Sequence, residues 1–245
     1  MKHIITVHHK TNKWIDLQVK QIGKHISNCK VWSYCDGFDI LPHRHKFDFC
    51  ENSNIDIMNG SSLNHMAKLN SLTDIVLKSK DVNENDLLIW LDSDAFPIKD
   101  LDEYISKKMS RYNFIAINRP ENGGDRIPHP SFTCSTVSFW KKHNLNWNGL
   151  PDIKKHGLND TGGYIYKVLT SKNIEWYKLL RTSSLTKHEV FFTIYDNLIY
   201  HHGAGTRHRG RTSGDCRGGD FGATYNQKEI FKMVKEKIEK ETFNI

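Results

Sequence analysis

The sequence lacks most of the features that assign a function at sight. It has five cysteines, Cys29, Cys35, Cys50, Cys134 and Cys216, an odd number with no C-x-x-C pair. That spacing argues against a disulfide framework and against a cysteine zinc site. The thiols are read as small, mostly buried residues. No apolar run approaches the ~20 residues that a membrane-spanning helix needs. The opening Met1-Lys2-His3-Ile4-Ile5-Thr6-Val7-His8-His9 is too short and too polar for a signal peptide and reads as a strand. A cytoplasmic location is the expectation, with any membrane contact peripheral. No G-x-G-x-x-G follows the first apolar segment, and no G-x-x-x-x-G-K-[ST] occurs. A Rossmann dinucleotide site and a P-loop are both poorly supported. No internal repeat is evident, and the only low-complexity stretch is a Gly/Arg-rich segment near the C-terminus.

What is present is ordinary in bulk. The chain has 245 residues, 38% of them hydrophobic and 26% charged, enough for one large domain with a substantial core. The formal net charge of +7 favours an anionic partner: a phosphorylated small molecule, nucleic acid or an acidic membrane surface.

Periodicity then sets the organisation. Ile4 to Val7 reads as a strand of β-branched residues, and Ile15, Val19, Ile22 and Ile26 recur at helical spacing. Lys30 to Cys35 is a second strand, closed by Asp36-Gly37. Strand, helix, strand is a βαβ unit, which implies parallel pairing. Leu41 to Asn59 reads as a loop with one short strand. A helix is expected from about Leu63 to Lys80, with Asn64, His65 and Lys68 on its more polar side; solvent-facing positions are the first reading, and contact of one of them with a ligand at the sheet edge is the alternative. Strands follow at Phe114–Asn118 and Ser131–Trp140, separated by an irregular loop with two glycines and three prolines. Asp160-Thr161-Gly162-Gly163 precedes a helical pattern, which gives Asp160 a plain role as its N-cap. Apolar strands at Phe191–Tyr195 and Asn197–Tyr200 lead into His201-His202. The tail from Gln227 is an amphipathic helix with Ile230, Phe231, Val234 and Ile238 on its apolar side.

The chemistry centres on Asp86-Leu87-Leu88-Ile89-Trp90-Leu91-Asp92-Ser93-Asp94-Ala95. A buried strand ends in two carboxylates one residue apart. Like charges so close raise each other's pKa unless a cation neutralises them, and Mg²⁺ or Mn²⁺ is the natural counter-charge. The alternative is a solvated exit from the strand. An imidazole from His201 or His202 would make a donor set more Mn²⁺-like than Ca²⁺-like. Ligands of open α/β sheets sit at the carboxyl ends of strands, which points to the segment from Val7 through His8 to Thr11 and to Asp36. Asp36 is equally well a simple Asp-Gly turn. Arginines at Arg207, Arg209, Arg211 and Arg217 suit phosphates; their plain reading is a basic surface loop.

These residues resemble the nucleotide-sugar glycosyltransferases of the GT-A fold. The resemblance rests on Leu88 to Ala95 with its D-x-D, on Asn159-Asp160-Thr161-Gly162-Gly163, and on His202-Gly203-Ala204-Gly205, and it spans roughly Ile4 to Arg207. It implies an α/β fold, a GT-A-like (Rossmann-like) central, mostly parallel sheet flanked by helices in a single domain. Residues 1–225 would form that domain, with the nucleotide-binding part at about 1–118 and the acceptor part at about 119–225; residues 226–245 would be an added helix. It implies Mn²⁺ (or Mg²⁺) as cofactor, a nucleoside-diphosphate sugar, UDP-linked by preference, as donor, and a glycan or other hydroxyl as acceptor. No nucleic-acid partner is expected. Asp94 would be the more direct metal ligand, with Asp92 and Ser93 at metal or ribose and a late histidine completing the shell. His202 fits the H-x-x-G spacing better than His201. Asp160 would be the general base, Val7, His8, Thr11, Asp36 and Arg207 would contact the donor, and His129, Ser131 and Thr133 would border sugar or acceptor. Many inverting members carry an E-D pair where this chain has Asn159-Asp160, which leaves the stereochemical outcome open. The competing readings are a metal-dependent phosphohydrolase or nuclease and a nucleic-acid-binding module. Phosphatases with an aspartyl nucleophile place D-x-D on the first strand with Thr or Val two residues on, whereas Phe96 stands there in this chain. A two-metal nuclease needs a denser carboxylate cluster, and a nucleic-acid surface needs interleaved basic and aromatic residues.

Overall fold

The computed structural model describes residues 1–56, 61–150, 158–186, 190–203 and 227–240. Its first three elements are the expected βαβ unit: β1 (Lys2–His9), α1 (Ile15–His25) and β2 (Cys29–Asp36). A short β3 (Phe49–Glu51) and the helix α2 (Ser61–Lys78) lead to β4 (Leu87–Asp92). β1 pairs in parallel with both β2 and β4. Then come β5 (Ala95–Pro97), α3 (Asp102–Met109), β6 (Phe114–Ile117), β7 (His129–Thr136), α4 (Val137–Lys142), α5 (Gly163–Ser171) and β8 (Tyr177–Leu179). The main sheet has seven strands among the described residues, in the order β3-β2-β1-β4-β7-β6-β8. Only β7 runs against the others, pairing antiparallel with β4 and β6. The α/β architecture with a mostly parallel central sheet is therefore the one observed.

Strand alternation sends side chains to two cores. Ile4, Ile89 and Leu91 pack under α1 with Ile15, Ile22 and Ile26. Ile5, Val7, Leu88 and Trp90 pack under α2 with Leu69, Leu72 and Val76. A second, antiparallel sheet has the order β5-β11-β10-β9, with β9 (Arg181–Ser184), β10 (Thr193–Tyr195) and β11 (Ile199–His201). Beside it lies a third core, where Ile230, Val234 and Ile238 of the last helix, α6 (Gln227–Glu239), meet Trp14, Phe96 and Tyr200.

Two local expectations are corrected. The strand expected over Ser131–Trp140 stops at Thr136, whose hydroxyl accepts from Phe139 N at 3.1 Å and caps α4. Hydroxyl capping competes with the ladder and here ends it. Asp160 is not the cap of α5. That position belongs to Gly162, at φ +99°, where a Cβ would run into the carbonyl oxygen of Pro128. A side chain at this left-handed turn is excluded by strain and by space.

Candidate active site

The carboxyl ends of β1, β2, β4 and β6 lie along one edge of the main sheet, and β7 starts there. That edge therefore collects His9, Asp36, Asp92 and, by the pairing of Ile117 with His129, the start of β7. β4 reverses through Ser93-Asp94 into β5. β11 pairs with β5 so that His201 stands opposite Ala95, and His202 N donates to the Asp94 carbonyl at 3.0 Å. A segment more than a hundred residues downstream is thus delivered to the aspartates by strand pairing.

The result is a close cluster. Ligand atoms of Asp92, Asp94 and His201 all lie within 4.8 Å of one another. His201 Nε2 is 3.7 Å from Asp92 Oδ2 and 3.6 Å from Asp94 Oδ1. Two further imidazoles face Asp92, with His65 Nε2 at 3.3 Å and His129 Nδ1 at 3.7 Å. Burial pushes the Asp92 carboxyl up, but the bond from His65 and the facing His129, His65 and His201 rings overcome it and hold the group well below the usual carboxylate range. Burial, then the Arg119 charge, holds His129 well below the usual histidine value, with Asp92 pulling the other way. Burial likewise lowers His201, against Asp94 and Asp92. A metal is held by deprotonated carboxylate and neutral imidazole, and the lowered Asp92 and the lowered His201 both run in that direction. Two carboxylates and one imidazole fit a first-row divalent ion.

The other expected residues are placed as follows. His202 is not a member of that cluster: its Nδ1 lies 2.9 Å from the Tyr200 hydroxyl, and its ring packs 4.5 Å from Trp14. The H-x-x-G spacing favoured His202, but strand alternation turns it into the third core and presents His201. Val7 is a core residue between β2 and β4, and His8 is fully buried on the opposite face. Thr11 accepts from Lys13 N in a local turn. Asp36 is already engaged, by Ser53 N at 2.7 Å, Ser53 Oγ at 2.8 Å and Lys68 Nζ at 2.8 Å. Ser93 is buried in the turn. Asp160 accepts from Ser62 Oγ at 2.9 Å at the start of α2. His129 joins the cluster, whereas Ser131 and Thr133 are buried and serve it: Ser131 N donates to His129 Nδ1, and Thr133 Oγ1 donates to the His129 carbonyl. Arg207 and the Gly/Arg segment lie outside the described residues.

His65 and Lys68 depart from the solvent-facing expectation. Lys68 is buried against Asp36, and His65 reaches Asp92. A signal was available, since His65, Leu69, Leu72 and Val76 form one helical stripe and the polar pair sits at its end over the strand termini.

No family profile matches the chain, and no curated protein matches it by sequence. Solved structures similar to it include glycosyltransferases. One is the mannosyltransferase PcManGT of Pyrobaculum calidifontis, solved with GDP-Man and Mn²⁺ (10% identity, TM-score 0.48, 76% of this chain and 58% of that one). Another is S. aureus TarS 1-349 in complex with UDP-GlcNAc (12% identity, TM-score 0.46, 99% of this chain and 66% of that one). A third is GlyE of Streptococcus pneumoniae (12% identity, TM-score 0.45, 73% and 46%). This chain spans between 46% and 66% of those solved chains, and 30% of a longer TarS chain. At such scores the likeness is one of layout and carries no argument about chemistry, which rests on the site itself.

Proposed function

We propose that the chain is a metal-dependent glycosyltransferase that moves a sugar from a nucleoside-diphosphate sugar, UDP-linked by preference, to a hydroxyl of a glycan or other acceptor. The observation that carries this reading is the cluster of Asp92, Asp94 and His201 at the carboxyl edge of a mostly parallel sheet. In this reading Asp94 and His201 hold Mn²⁺ or Mg²⁺, and Asp92 is shared between metal and ribose. A bound divalent ion supplies charge neutralisation to a departing diphosphate. The chain's own residues do the rest. His129, oriented by Ser131, borders the sugar, and Asp160 takes the acceptor proton. The Gly/Arg segment with Arg207 adds donors for phosphate oxygens. The nucleotide half is residues 1–118 and the acceptor half 119–225, with the segment 226–245 that carries α6 a packing addition. No helix among the described residues is long and apolar enough to cross a membrane.

Calorimetry with UDP, with and without Mn²⁺, tests the reading. Binding is expected to depend on metal and to be lost in Asp94→Ala. Failure of UDP, GDP and CDP alike in the presence of Mn²⁺ sinks it. In the same preparation Asp160→Asn is expected to keep donor binding and lose turnover; retained turnover reduces Asp160 to its bond with Ser62.

A further inference from the structure

Gln18 is a polar residue in the apolar stripe of α1, and it is fully buried. Its amide is engaged on both sides. Nε2 donates to the Asp92 carbonyl at 2.6 Å and to the Ala95 carbonyl at 2.7 Å. Oε1 accepts from the Thr6 hydroxyl at 3.2 Å. The orientation is unambiguous, because the flipped amide would set Oε1 against two carbonyl oxygens.

Asp92 and Ala95 are the two ends of the turn that carries the carboxylates. One side chain from a different element therefore closes that turn, and His202 N holds the Asp94 carbonyl from the other sheet. Gln18 also faces the buried His8, but the bonds of its Nε2 go to the turn, in a part of α1 that otherwise packs Ile15 and Ile22 against the sheet. Buried amides are retained where their bonds are needed, since an apolar side chain of the same size costs nothing to bury.

We propose that Gln18 is the positioning residue of the metal site: by tying the Asp92 and Ala95 carbonyls to β1 through Thr6, it sets the separation of the Asp92 and Asp94 carboxylates. This rests on the metal-site reading given above. Gln18 touches neither metal nor substrate and acts through the turn. Groups behind the ligands typically account for about 10–100-fold in metal affinity.

The test is Mn²⁺ titration of the full chain by calorimetry, with thermal melts alongside. Gln18→Met keeps the volume and removes both donors. It is expected to weaken Mn²⁺ binding about 10–100-fold. Thr73→Val is the control for stability alone. Thr73, on α2, is buried, and its hydroxyl accepts at 3.0 Å from Nε1 of Trp90, which lies on β4 short of the turn. That variant is expected to melt earlier and bind Mn²⁺ as before. Thr6→Val, which removes only the hydrogen bond to Oε1, is expected to lose about 2–10-fold, the size of one neutral hydrogen bond. It carries the test if Gln18→Met does not fold. Unchanged Mn²⁺ affinity in a folded Gln18→Met, or in Thr6→Val where only that variant folds, overturns the proposal. So does an equal loss in Thr73→Val. If the unaltered chain binds no Mn²⁺ at all, the metal reading itself has failed. If it binds and the Gln18 variant binds equally, only the role of Gln18 has.

Discussion

His8 shows how far one position can move from its apparent role. It sits at the end of β1 among candidate donor contacts, yet it is fully buried on the α1 face with its ring 5.9 Å from Phe47. Burial, opposed in part by the Gln18 side chain, pushes its pKa down to about 3. Between pH 6.5 and about 3 the unfolded chain takes up a proton there that the folded chain refuses. Stability therefore rises with pH across that window and is lost as pH falls through it, by at most about 1.4 kcal/mol per pH unit from this one group. Urea unfolding of His8→Phe between pH 7 and 5, above the carboxylate range, is expected to show a shallower pH slope than the parent chain. An identical slope would mean that His8 takes up its proton alike in the folded and the unfolded chain. Asp92 and Asp94 could be singled out from residue type and strand context. The burial of His8 could not, because a histidine at a strand end reads the same on either face.

At the scale of elements, α2 is the piece whose function was least visible. Its apolar stripe is plain in the sequence, but its polar end makes two linked contacts. Lys68 neutralises Asp36 at the end of β2, and His65 reaches Asp92 at the end of β4. One helix thus spans two strand-end carboxylates across β1. The Lys68–Asp36 pair has side chains 4% and 8% exposed, so removing one partner strands a buried charge. Lys68→Met is expected to destabilise the protein by about 3–5 kcal/mol, with part of that loss recovered in the double variant Asp36→Asn/Lys68→Met. Denaturant midpoints measure both, and a single-variant loss below about 1 kcal/mol would show the pair to behave as a surface ion pair.

For the whole molecule, the site depends on two sheets meeting. β4 supplies the aspartates from the main sheet, and β11 supplies His201 from the small one. The third core backs β5 and β11 with Phe96 and Tyr200, and α6 closes it through Ile230, Val234 and Ile238. Lys13 lies over the Phe231 ring at 4.2 Å and adds a cation–π contact at the same seam. Ile230→Ala is expected to cost about 2–5 kcal/mol, read from urea melts. A change within experimental error would mean that α6 contributes little to the fold.

The sequence by itself determined the βαβ start, the stripes of α1, α2 and α6, and the buried strand that ends in Asp92-Ser93-Asp94. Each is a matter of local period and composition, which neighbouring residues in the chain settle among themselves. Only the tertiary structure decided that His201 rather than His202 faces the aspartates, because the register of β11 on β5 chooses the inward face and a shift of one residue reverses it. It also decided that His65, His129 and Gln18 converge on Asp92 from three different elements. Such contacts join positions far apart in the chain, and no local pattern records them.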